Sequence, residues 1–324
     1  MITWILRRLF QACFVVLAMT VIVFVGVHII GNPVDILISP EADQAERARI
    51  IAQMGLDQPL WRQYFYFLGD ALRGNLGRSF VFNEPALKLI AQRMPATLEL
   101  AVTAVLFSMC FGVPLGLYAG LKPDSIGGRA IMAGSILGFS LPTFWVGLML
   151  IMVFAVQFGV LPSTGRGETE TLFGIQWSFL TWDGLRHMFM PALNLSLFNI
   201  SLVLRLTRAG VRETLPMDFV KFARAKGLSP RRVIFVHVLK NIMIPVVTVL
   251  GLELGSTIAF AVVTESVFAW PGMGKLIIDS INVLDRPVIV AYLMMIVLLF
   301  IVINLVVDIL YMILDPRVRL GRGS

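Results

Sequence analysis

The sequence predicts an all-α membrane protein with six transmembrane helices, and three observations carry that reading. First, 57% of the 324 residues are hydrophobic and only 15% are charged, with a mean hydropathy of +0.84. A water-soluble domain carries roughly 25% charged residues. Second, six apolar runs, at about 9–31, 98–120, 130–158, 189–211, 242–264 and 288–313, are long enough to cross a hydrocarbon core about 30 Å thick. Third, the Lys and Arg residues are unevenly shared between the connecting segments. With the N-terminus inside, sixteen of the 27 fall on inner segments, nine of them between 205 and 240. The short outer segments 159–188 and 265–287 hold two each. Basic residues are retained on the cytoplasmic side, so N-terminus and C-terminus are both expected there. The net charge of +7 then reflects membrane topology and contact with lipid, not affinity for nucleic acid.

Residues 1–31 read as a short cytoplasmic end and a first transmembrane helix. The apolar run is too long for a signal-peptide core and no small-residue cleavage site follows it, so the helix is expected to be retained. Residues 32–97 read as a periplasmic helical insertion. Ile50, Ile51 and Met54 recur at helical spacing before Gly55. A second amphipathic piece runs from Pro59 to Leu72, with Trp61, Tyr64, Phe65 and Leu68 on one face. A transmembrane core of five helices, which includes the inner segment 212–241, occupies 98–313, and 314–324 form a cytoplasmic tail. Span three contains "SLPTFW" (140–145), where Pro142 is expected to kink the helix and free a carbonyl. Span four carries Asn194, Ser196, Asn199 and Ser201. These either hydrogen-bond between helices or form the wall of a wet path.

Several classes are excluded. Cys13 and Cys110 lie in apolar runs and read as small hydrophobes. His28, His187 and His237 are scattered, with no HExxH, and no metal site is expected. There is no GxSxG and no GxxxxGK[ST], so an intramembrane enzyme has no nucleophile–base pair and nucleotide chemistry must come from elsewhere.

The inner segment 212–241 is the most informative stretch. "KFARAKGLSPRRVIFVHVLKN" holds Lys221, Arg224, Lys226, Arg231, Arg232 and Lys240. The spacing predicts a helix over 214–227, with Thr214 as cap, Pro216 in the first turn, Asp218 near the positive end, Lys226 near the negative end and Gly227 as stop. A second helix restarts at Ser229 and Pro230. Phe219, Phe222 and Ala223 lie at i, i+3, i+4 with Val220 beside them. A helix this short is marginal alone and is expected to press that face into a partner's groove. A positive-inside loop resting on anionic lipid accounts for the bases, but not for the caps, the glycine break or the small Ala223 and Ala225.

These residues resemble the cytoplasmic loop of ABC-importer permeases of the dipeptide/oligopeptide class. The general pattern E-A-A-x3-G-x9-I-x-L-P keeps only Ala223, Gly227 and Leu239 here; Lys221 stands at the acidic position, with Asp218 nearby. The peptide-permease variant, with "RAKGLS" and "IPVVT", matches. "GLDQPLWRQY", "LGRS", "PATLELA", "TESVFAWPGMG" (264–274) and "NLVVDILYMILDPR" (304–317) follow in order, so the resemblance spans essentially the whole chain. It implies a type I ABC importer permease arrangement and import of di- or oligopeptides by alternating access. Glutathione, nickel chelates or opine-like solutes are alternative cargoes, and a channel or secondary carrier is a remote one. It implies a second homologous permease, two cytoplasmic ATPases that hold ATP and Mg, and a periplasmic solute-binding protein, with no cofactor on this chain. Within it, Asp218, Phe219, Phe222, Ala223, Arg224, Ala225, Gly227 and Leu228 become the ATPase-coupling residues, with 214–227 as coupling helix.

Ionisable and polar groups inside the spans are candidates for the translocation path: Asn194, Asn199, Glu253 and Ser256. Glu253 is placed near the bilayer midplane. It is open to three roles: attracting an ammonium group, lining the path while protonated, or pairing with Arg205. Glu99 reads as interfacial and Asp308 as a packing hydrogen bond.

Overall fold

The computed structural model describes residues 2–29 and 57–314. The expected helix around Ile50–Met54 and the tail 315–324 lie outside these. The helices are α1 (Ile2–Ile29), α2 (Leu60–Leu72), α3 (Ala86–Leu121), α4 (Ile126–Ser140) and α5 (Thr143–Leu150), the last continuing as a π-helical stretch to Gln157. A two-stranded hairpin, β1 (Glu170–Leu172) with β2 (Ile175–Trp177), precedes α6 (Trp182–Thr214) and α7 (Asp218–Ala225). Then come α8 (Pro230–Val267), α9 (Met273–Asn282) and α10 (Arg286–Leu314).

Among the described residues, α3, α6, α8 and the Arg286–Ile309 part of α10 are long and apolar enough to cross a membrane. The fifth segment is the α4–α5 pair, bent by 108°, and α1 carries the shorter apolar stretch Phe10–Gly26. Each of these segments overlaps one of the six expected spans. Span three is not one kinked helix, however. Leu141 and Pro142 are both extended (ψ 136° and 131°), because a proline drives the residue before it out of the helical region. The second helix also starts earlier than expected, at Ala86, and its 36 residues extend about 54 Å. Its first turns therefore belong to what the sequence assigned to the insertion.

The chain divides into two compact units. The first comprises Met1–Gln92 and Leu276–Ile301. Here α2 lies on α1: Tyr64 meets Phe24 edge-on at 5.5 Å, its hydroxyl is 2.9 Å from Thr20 Oγ1, and Phe67 adds a second ring contact. The inward face of α2 is thus Tyr64, Phe67 and Leu68, whereas Trp61 and Phe65 are exposed. The expected face was off by part of a turn. Buried Val23, Val290 and Met294 form the core of this unit. Asp285 is buried and accepts hydrogen bonds from the Ser79 hydroxyl and the Phe80 N–H.

The second unit comprises Arg93–Lys275 and Val302–Ser324. Its centre is α6, packed against α3, α4 and α8. Gly112, Gly116 and Gly120 form a small-residue stripe on α3. A Cβ on Gly116 would sit 2.5 Å from the Leu204 carbonyl oxygen, and one on Gly120 2.7 Å from Val211. Glycines at i, i+4 let two backbones approach to this distance in lipid, where packing supplies most of the attraction.

Candidate functional site

At the C-terminal end of α6 the chain turns through Leu215–Met217 into α7. The helix is eight residues long, not the fourteen expected over 214–227. Thr214 closes α6 and is buried, and Met217, with no side-chain cap, precedes α7. The reason lies in α6, whose inward positions Val211 and Thr214 keep it helical. Pro216, lacking an N–H, then ends it. Ser229 does occupy the cap position before Pro230, but its hydroxyl makes no capping bond.

Gly227 ends α7 as the spacing required. Its φ is +74°, and open space surrounds the position of a Cβ. The Leu228 N–H donates to the Ala223 carbonyl and the Gly227 N–H to the Arg224 carbonyl, the paired bonds of a Schellman cap.

The faces of α7 differ from the expected set. At 100° per residue, Val220 and Ala223 share one side, and both are buried in a cluster with Val211, Val233, Val238 and Ile242. Leu228 packs on the same cluster. Ala223 is therefore directed into its own chain, although at 100° per residue it lies only about 40° from the partly exposed Phe219. Phe219 and Phe222 are 40% and 61% exposed, and the Lys226 ammonium lies 4.6 Å from the Phe222 ring centre. Arg224 and Ala225 are exposed as well, and all six basic residues of the segment reach solvent. Asp218 pairs with Lys221 at 2.9 Å, both exposed, so the acid on this helix already has a partner one turn away. The segment thus presents two aromatic rings within a field of positive charge, on a helix fastened from behind.

The polar residues of α6 meet α8. Asn194 Nδ2 donates to Thr264 Oγ1 at 3.0 Å and Asn199 Nδ2 to Thr257 Oγ1 at 2.8 Å, and both asparagines are buried. Their Oδ1 atoms accept no hydrogen bond among the described residues. Glu253 stands halfway along Leu239–Val267 and is half-buried, as is Ser256 one turn on. Arg205 is not its partner: the guanidinium lies 4.7 Å from the Phe139 ring centre and donates to the Ser201 carbonyl.

At the other end of α6, two carboxylates hold loops in place. Glu99 is buried. It forms an ion pair with Arg166 at 2.7 Å and accepts the N–H groups of Ser178 (2.6 Å) and Phe179 (2.9 Å). Arg166 also donates to Ser178 Oγ and the Gln176 carbonyl, tying the hairpin loop to α3. Glu265 is fully buried. It accepts from Thr97 Oγ1 at 2.6 Å and from the Lys275 N–H at 3.0 Å, while Thr97 Oγ1 accepts the Met273 N–H. A Cβ on Gly272 would lie 2.3 Å from the Glu265 carboxylate, so any side chain there would displace that carboxylate from its partners. The sequence reading quoted "TESVFAWPGMG" without assigning its acid. An acid closing an apolar helix, followed by two glycines two residues apart, was the available signal.

Long apolar helices with glycine-tight contacts, joined by carboxylate-clasped loops at one end and by a basic helix at the other, define a polytopic membrane protein. The comparisons narrow the class. Residues 112–320 match the family described as binding-protein-dependent transport system inner membrane component, and residues 1–101 match the N-terminal part of such membrane components. The chain belongs to this family and is a multi-pass inner-membrane protein. It is 40% identical over 335 aligned positions to the di/tripeptide transport system permease protein DppB of Pseudomonas aeruginosa, covering 98% of this chain and 99% of that one. It is 36% identical over 338 positions to the dipeptide permease DppB of Escherichia coli K12, with the same coverage. The glutathione transport system permease protein GsiC of Escherichia coli K12 is 36% identical over 320 positions, again covering 98% and 99%. Among solved structures, the inward-facing MetNI methionine ABC transporter superposes with a TM-score of 0.55 at 16% identity, covering 72% of this chain and 99% of that one. That likeness establishes the type I ABC importer permease fold.

Proposed function

We propose that this chain is one membrane half of an ATP-driven importer carrying di- or oligopeptides across the bacterial inner membrane. The observation that carries the reading is end-to-end kinship with permeases named for di- and tripeptides. A glutathione importer is the second reading, favoured by the equally complete match to GsiC. In either case a second homologous permease completes the pathway, a solute-binding protein delivers cargo, and two ATPases holding ATP and Mg drive it. The chain itself needs no cofactor. Both termini and α7 face the cytoplasm, in keeping with the basic residues of 205–240.

The coupling element is α7 with its cap. Phe219 and Phe222 anchor it in an ATPase groove, since aromatics buried in a pocket dominate docking energy. Asp218, Arg224, Ala225 and Lys226 supply fit around them, and exposed bases steer the encounter. Val220, Ala223 and Leu228 bind α7 to its own bundle, so a displacement of the rings passes to α6 and α8 instead of bending a loose arm. Gly227 sets the angle between lever and span. The two membrane halves then rock about the cargo, with Glu253 and Ser256 facing the path and Asn194 and Asn199 holding α6 to α8 beside it.

The test is reconstitution of the complex in vesicles with labelled dipeptide and labelled glutathione. Phe222→Ala should lower ATPase co-purification at least tenfold and abolish ATP-dependent uptake, while the subunit still inserts. Uptake that continues without ATP or ATPase would instead make the chain a carrier.

A further inference from the structure

An apolar cavity of about 330 Å³ opens beside the N-terminal end of α6, lined by Phe107, Leu161, Trp182, Arg186, Met188 and Phe189. Its volume is roughly ten times the share of one water in the liquid. Thr103, a polar lining residue, already donates to the Glu99 carbonyl at 2.8 Å and leans on Met188 Sδ, so nothing within asks for water. Walls of this kind favour an apolar occupant over water.

Its depth is informative. Trp182, 77% exposed, and Arg186 occupy the first turns of a helix that crosses the membrane and ends among Arg205, Arg208 and Arg212. Tryptophan and arginine at a span's end mark the headgroup level. The cavity therefore starts at the interface and runs into the acyl region. One Arg186 amino group donates to the Val160 carbonyl at 3.0 Å, which fixes the exposed guanidinium at the cavity wall.

We propose that this cavity binds one acyl chain of an anionic phospholipid whose phosphate pairs with Arg186. A planar guanidinium suits a phosphate through paired N–H donors, and the apolar walls take the first part of the chain below it. The bound lipid would fill the gap between α3, α6 and the segment after α5, stiffening the end of the unit that holds Arg166 and Glu99. This inference rests on the chain being membrane-embedded, not on which solute it carries.

The test uses the full-length chain purified with its partner subunits into bilayers doped with phosphatidylglycerol or phosphatidylcholine bearing a diazirine midway along one acyl chain. Phosphatidylglycerol should label peptides containing Phe107 and Phe189 several-fold more than the exposed α4 residue Ile136. Phe107→Trp should remove that excess, and Leu161→Trp repeats the test from the opposite wall if the first variant disturbs folding. Arg186→Gln should reduce phosphatidylglycerol labelling to the phosphatidylcholine level. Labelling no higher than at Ile136, or unchanged by either filling variant, would overturn the proposal. So would labelling seen only on the isolated chain, which would show a partner subunit filling the cavity.

Discussion

The two ends of α6 are built on opposite plans. At the Trp182 end, polar groups are consumed internally: Glu99 and Glu265 are buried and accept hydrogen bonds from an arginine, a threonine and three backbone N–H groups between them. At the Thr214 end, one side of α7 is fastened to the bundle, while Phe219, Phe222, Lys221 and Arg224 on the same helix, and the bases that follow it, are left to solvent. A finished end and an unfinished end on one helix imply that completion comes from another molecule at the second. Losses at the first end should therefore appear as stability and losses at the second as coupling. The largest expected effect sharpens this contrast. Glu265→Leu strands the Thr97 hydroxyl and the Lys275 N–H, each costing roughly 1–3 kcal/mol when buried without an acceptor. The melting temperature of the purified complex should fall by several degrees, with Glu265→Gln, which keeps one acceptor oxygen, in between. A leucine variant as stable as the parent would break the comparison at its rigid end.

Much of this was legible in the sequence, and the failures have physical causes. The six spans follow from hydropathy, because lipid demands continuous apolar helices. Gly227 as a stop follows from the cap chemistry around it, and its φ of +74° agrees. Helix facing was less legible. Val220 and Phe219 are equally apolar, and only the packed bundle shows that the valine turns inward. The start of α7 was misplaced because Thr214 and Pro216 can open a helix as well as close one. The Gly112, Gly116, Gly120 stripe was visible as spacing, but it becomes informative only with the α6 backbone against it. The buried clasps were harder still: Glu99 pairs with a residue 67 positions away and Glu265 with one 168 away, and no local pattern encodes such partners.

An intermediate effect is expected at Gly227, where a substitution meets open space, so the cost is conformational alone. Residues with a Cβ pay about 1–2 kcal/mol in the left-handed region, a β-branched one more, whereas asparagine tolerates it. Gly227→Val should lower the melting temperature less than Glu265→Leu does and uncouple ATP hydrolysis from uptake, while Gly227→Asn retains most coupling. Equal behaviour of the two would mean that the angle after α7 does not transmit force.

The smallest effect should come from the ion pair on α7. Asp218 and Lys221 have side chains 97% and 66% exposed, and solvent screens a pair of this kind almost completely. Asp218 keeps a favourable position in the first turn without its partner. Lys221→Gln should therefore leave melting unchanged and shift ATPase affinity less than twofold at physiological salt. The size of any larger change, and its dependence on ionic strength, would show whether Lys221 leaves Asp218 to meet an acid on the ATPase. In that case the open end of α6 would be using its charge as well as its rings.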